Sequence, residues 1–200
     1  MKMPDIDIDM ADRKTLISKL PVVQGFQYVN EKISTHPSAV YFQNIPISPL
    51  NGLSAIDYKE AEHLGYFKLD FLNQSVYSEV KDENHLNTLL ETEPLWDLLD
   101  DQFFVSNLPH IKNHFDIVDR IKPKSIDDMA LVLALIRPAK RHLLYKSRKE
   151  INDNIWIDDN NDQYFFKTSH SISYAYLIAI KMNLIVEKLN DDIELDKLFS

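Results

Sequence analysis

An α+β fold is predicted: a small sheet carrying aspartates over residues 1–72, then a mainly helical region over 73–200, expected as one compact unit. Three observations predict it. Pro4-Asp5-Ile6-Asp7-Ile8-Asp9 alternates acid and isoleucine with the two-residue period of a strand. Ala39-Val40-Tyr41-Phe42 and the run from Tyr66 to Phe71 have the β-branched and aromatic composition of strands. After Asn73 apolar residues recur at helical spacings, interrupted by Pro94, Pro109 and Pro123.

In chain order, Asp12 to Leu20 reads as a short helix ended by Pro21, with Leu16, Ile17 and Leu20 on the side that covers the first strand. The pattern from Gln24 to Asn51 is looser, and His36-Pro37 marks a turn into the apolar run at Ala39. Gly65 ends a short helix, and Tyr66, Lys68 and Asp70 fall on one face of the strand that follows. Helices are expected over Val76 to Leu90, Leu95 to Phe104 and Ile111 to Ile121. Ser125-Ile126-Asp127-Asp128 is a helix start for the very apolar stretch Met129 to Ile136. Asn152 to Asp162 reads as a polar connector, and a final long helix starts at Thr168 or Ser169.

Composition narrows the classes. A 200-residue chain with 44% hydrophobic content can bury a core, so this is not a disordered chain. It contains no cysteine, which excludes disulfides, thiolate metal sites and cysteine nucleophiles. The acidic first residues do not suit a signal peptide, and no apolar run is long enough for a bilayer, so a cytoplasmic protein without a membrane partner is expected. A net charge of −9 argues against a protein that coats nucleic acid, and 3 glycines cannot supply a Gly-rich phosphate cradle.

Two groups of residues bear on chemistry. Asp5, Asp7 and Asp9 share one face of the first strand, and the face bearing Asp70 is expected to meet them. Carboxylates this close repel one another unless they are solvated or surround a cation, and oxygen ligands on a rigid element suit a hard ion such as magnesium. An exposed acidic edge strand that discourages aggregation explains the alternation equally well. Lys68 and Asp70 lie in an otherwise apolar strand, so they pair with each other or serve a site. The second group is basic: Arg137, Lys140, Arg141, Lys146, Arg148 and Lys149, with His142 among them. It is either a solvated helix face or a local phosphate-contacting surface.

Five stretches, in order, resemble the C-family of bacterial replicative DNA polymerases, typified by the polymerase III alpha subunit. They are Pro4 to Asp9, His36 to Val40, Glu62 to Leu72, Arg120 to Pro138, and Phe166-Lys167-Thr168-Ser169-His170-Ser171 with the tyrosine-bearing helix after it. The resemblance implies a nucleotidyltransferase-like palm sheet followed by part of the palm and fingers. It implies Asp5, Asp7 and Asp70 as ligands of two magnesium ions and Lys68 as a fourth catalytic residue. Arg137, Lys140, Arg141, Lys167 and His170 become the candidate nucleic-acid or phosphate contacts. Implied partners are a DNA primer-template and deoxynucleoside triphosphates. Ala139 and Asn73 stand where the family has glycine, and no counterpart of its Gly-Ser motif precedes Asp5. The expectation is therefore a reduced or split, phage-like polymerase subunit that works with a second polymerase polypeptide or replisome protein. A catalytically inactive, polymerase-like binding module of a replisome is the alternative.

Overall fold

The computed structural model describes residues 6–157 and 167–198, with side chains as far as residue 192. Asp5 and the 158–162 part of the expected connector lie outside the described residues. The chain divides into two compact units, Met1–Glu79 and Val80–Ser200. The division falls after Glu79 rather than after Leu72, because Gln74 still donates its N–H to the Met10 carbonyl and so belongs to the sheet.

The first unit is built on four strands: β1 (Asp7–Met10), β2 (Val23–Val29), β3 (Lys32–Tyr41) and β4 (Leu69–Asn73). Their order in the sheet is β1-β4-β3-β2, with β1 parallel to β4 and the other pairs antiparallel. Helix α1 (Arg13–Lys19) opens on Asp12, whose carboxylate accepts the Thr15 N–H at 3.0 Å, and ends before Pro21. It packs against β4.

Helix α2 (Tyr58–His63) ends in a Schellman motif. Tyr66 N–H donates to the Ala61 carbonyl and Gly65 N–H to that of Glu62. Gly65 takes the left-handed φ of +86° that this motif needs.

Strand β2 departs from the looser expectation for this segment. It forms because Asn30 and Glu31, at φ 49° and 63°, close a two-residue hairpin that pairs Val29 with Lys32. Positive φ at both central positions is the geometry of a type I′ turn. Gly25 then lets β2 approach β3 closely, since a Cβ there would stand 3.0 Å from Ala39 Cβ and 3.3 Å from Tyr41 Cε2.

The described part of the second unit is helical, and two of its expected helices are shorter because aspartates restart the chain. Ser75–Glu79, which closes the first unit, is a 3-10 turn, after which Asp82 caps α3 (Glu83–Glu91) by accepting the His85 N–H at 2.8 Å. A second 3-10 turn, Trp96–Asp100, gives way to α4 (Gln102–Ser106) at Asp101, which accepts the Phe103 N–H at 2.7 Å. Helices α5 (Phe115–Ile121), α6 (Ile126–Leu135), α7 (Arg148–Asn154) and α8 (Thr168–Leu198) follow.

Helix α6 is the centre of the core, with every residue from Met129 to Leu135 buried, and it packs on α8. Asn183 of α8 is buried and donates to the carbonyls of Leu89 and Thr92 at 2.9 Å each, satisfying the C-terminal end of α3. Helix α7 takes up the start of the expected connector. Ser147 and Glu150 form a capping box, and Ile151 and Ile155 are buried. Among the described residues no helix is long and apolar enough to cross a membrane.

The Gly25 contact gives a direct test of the sheet. Gly25→Val is expected to lower stability by about 1–3 kcal/mol through overpacking against Ala39 and Tyr41, measured by urea denaturation.

Candidate functional site

The sheet places Asp7 directly beside Asp70. They are register partners on the parallel pair β1 and β4, so both side chains leave the same face. Ala39 of β3 is the next residue in that row, paired with Asp70 on its other side. This is the meeting of faces expected from the alternation. It also decides against a purely solvated acidic edge. Ile6 and Ile8 are the exposed side of β1, at 41% and 39%, whereas Asp7 and Asp9 are half-buried and Asp70 is 7% exposed.

Asp70 is fixed through both carboxylate oxygens. The Lys68 ammonium makes an ion pair with Oδ2, and the Ser38 hydroxyl donates to Oδ1 at 2.7 Å. The Lys68 and Asp70 pairing expected from the sequence is present, made by a lysine that precedes β4 rather than lying inside it.

His36 supports this arrangement from β3. Its Nδ1 accepts the N–H groups of Ala39 at 2.9 Å and Ser38 at 3.3 Å, which leaves the proton of the neutral ring on Nε2. The ring packs on Tyr58 with centroids 4.8 Å apart. Burial pushes the His36 pKa down. The Asp70 carboxylate opposes that shift, and Lys68 and Arg13 add to it. Tyr41, two residues beyond Ala39 on the same face, has its phenol pushed up to about 12 by burial and then by Asp70.

Arg13, at the start of α1, is not marked by the sequence pattern, whose signal in this helix is the apolar side Leu16, Ile17 and Leu20. Burial pushes its pKa down, and Asp70 opposes that shift. Its backbone N–H donates to Asn73 Oδ1 at 3.0 Å, at the end of β4. Among the described residues no group of three or more histidines, aspartates or glutamates is arranged to hold a metal ion, Asp5 lying outside them.

In the second unit the basic stretch is not one surface. Lys140 is 1% exposed, and its ammonium donates to the Asn154 carbonyl at 3.0 Å, so it ties the 3-10 turn Pro138–Leu143 to the end of α7. A buried ammonium held by a carbonyl is not a surface contact for phosphate, which corrects the expectation for this residue. Pro138 opens this turn at its first position, and the segment is 3-10 rather than α-helical, so Lys140 faces inward.

Arg141 is exposed and Arg137 half-buried. Their charges both depress the pKa of His114, after burial, and Arg137 does the same to His110. Lys167 is exposed just before α8, and His170 is half-buried in its first turn.

A shallow cleft of about 520 Å³ gathers Lys146 and Arg148 with Arg120, Lys122 and Lys124 instead. Its cations are largely balanced from within. Lys122 pairs with Asp100 and Asp119 at 2.7 Å each, Lys124 reaches Asp97 at 3.5 Å, and Arg148 pairs with Asp128.

No protein-family model matches this chain, and no curated protein is similar to it.

The electrostatics around His36 have a definite sign. Its folded-state pKa lies below the unfolded value, so the neutral ring favours the fold. That contribution is complete above the ordinary histidine pKa and is lost as pH falls through the depressed one. Removing the opposing carboxylate by Asp70→Asn is expected to lower the His36 midpoint further, and Lys68→Ala to raise it, as read from ring proton shifts in an NMR titration.

Proposed function

We propose that this chain is a reduced or split DNA-directed DNA polymerase subunit of the C-family type, whose first unit is a nucleotidyltransferase-like palm. The observation that carries the proposal is the side-by-side placement of Asp7 and Asp70 on adjacent parallel strands, with Lys68 on Asp70. Asp7 and Asp70 would hold the ions, together with Asp5, which precedes Asp7 in the same alternation. The donor set fits: carboxylate oxygens on rigid strands suit magnesium, which takes one or two carboxylates and completes its shell with water and substrate phosphates. Two bound ions would supply activation of the attacking hydroxyl and neutralisation of charge at the leaving pyrophosphate.

The protein's own residues prepare that chemistry. Ser38 and Lys68 set the plane of the Asp70 carboxylate before any ligand arrives. Lys68 also keeps a positive charge beside the carboxylates, where phosphate charge would gather. Arg137 and Arg141 are the proposed phosphate contacts of the second unit. Lys167 and His170 belong to the proposed nucleic-acid-binding set through the resemblance alone. A primer-template, a deoxynucleoside triphosphate and a second polymerase polypeptide complete the proposed assembly.

A catalytically inactive binding module of a replisome is the second reading. What favours it is that both oxygens of Asp70 already have partners within the protein, so the carboxylate does not require a metal ion to be satisfied.

Isothermal titration with manganese separates the two. Under the polymerase reading Asp7→Asn and Asp70→Asn each weaken binding by about tenfold or more, and no binding, or binding indifferent to Asp70→Asn, selects the inert module. Primer extension with magnesium, alone and with candidate partner chains, is expected to fall by roughly 10³-fold or more in the Asp7→Ala/Asp70→Ala variant. Wild-type protein that extends no better than this variant in every combination would remove the polymerase reading.

A further inference from the structure

Arg13 lies within reach of the Asp70 charge. It opens α1, where the Asp12 cap and the bond from its own N–H to Asn73 Oδ1 fix its backbone against the end of β4. Two of its guanidinium nitrogens, Nε and Nη2, are buried, and among the described residues neither meets an acceptor. These two nitrogens form one edge of the guanidinium plane, the edge that matches two oxygens of a phosphate or carboxylate.

Asp70 is the carboxylate whose charge bears on Arg13, but neither nitrogen of that edge hydrogen-bonds to it. A desolvated cation with an empty bidentate edge costs stability, and an anionic ligand removes the cost.

We propose that the Nε and Nη2 edge of Arg13 clamps a phosphate group of a phosphorylated substrate beside Asp7 and Asp70. The anion site follows from Arg13 itself. Only the identification of its ligand as a nucleoside triphosphate rests on the polymerase reading above.

The test follows the Arg13 Nε–Hε resonance in the full ¹⁵N-labelled chain, assigned by its loss in Arg13→Lys. The probes are dTTP with magnesium, then dTTP, inorganic pyrophosphate and a short oligothymidylate in EDTA. The expected result is a saturable shift with dTTP in the wild type and, by isothermal titration of dTTP into each protein, an affinity about tenfold or more weaker in Arg13→Gln with partial recovery in Arg13→Lys. A resonance unmoved by every probe overturns the proposal. So does an Arg13→Gln affinity within about twofold of wild type, because Arg13 would then be only a structural tie. If Arg13→Gln unfolds, the Lys variant and the wild-type shift still decide.

The two readings fail separately. A shift that is the same in EDTA and magnesium, and unchanged in Asp7→Asn and Asp70→Asn, supports the anion site and removes the two-metal reading. A shift produced by a short oligothymidylate but not by dTTP supports the same phosphate chemistry with a nucleic-acid backbone as its source.

Discussion

The first unit depends on holding Asp7 and Asp70 next to each other. Two ionised carboxylates on adjacent strands in direct register repel one another unless a positive charge or a donor intervenes. The sheet enforces the pairing anyway, through the parallel register that sets Asp7 against Asp70 and Ile8 against Phe71. Slipping by one residue would turn Phe71, which is buried, to the other face. Lys68 and Ser38 offset part of the repulsion by occupying the two oxygens of Asp70. Much of the surrounding architecture serves that register. The Schellman end of α2 at Gly65 leads the chain toward β4, and the Gly25 contact brings β2 against the Ala39 end of β3.

The second unit meets its polar demands differently. Its core is the apolar α6 packed on α8, and two of its buried polar residues close the ends of other elements. Asn183 completes α3, and Lys140 holds the last turn of α7. At its surface, Lys81 and His85 both meet Glu187, at 2.9 and 2.8 Å, joining the start of α3 to α8.

The pairing of Asp7 with Asp70 was legible in the sequence because charge in a strand-like apolar run is conspicuous: Asp7 alternates with isoleucines, and Asp70 stands between Leu69 and Phe71. β2 was not legible, since Gln24, Gly25 and Gln27 blur its apolar pattern and the Asn30-Glu31 turn lacks the glycine that usually marks a type I′ hairpin. Prolines are the visible helix breaks in the sequence, whereas Asp82 and Asp101 make two further breaks by capping. Lys140 was misjudged because composition reports charge and not direction, and a 3-10 turn after Pro138 rotates a basic run differently from an α-helix. Arg13 carried no signal at all. Its significance lies in two orphaned nitrogens, which only the three-dimensional arrangement reveals.

The proposed function requires the Asp7 and Asp70 pair to be a cation site. Anomalous diffraction from crystals soaked in manganese tests it most directly. The expected result is an anomalous peak at about 2.0–2.2 Å from carboxylate oxygens of both Asp7 and Asp70, with the Lys68 ammonium displaced from Oδ2. Crystals that show manganese elsewhere on the chain but none between these two carboxylates, with Lys68 still paired to Asp70, would contradict it.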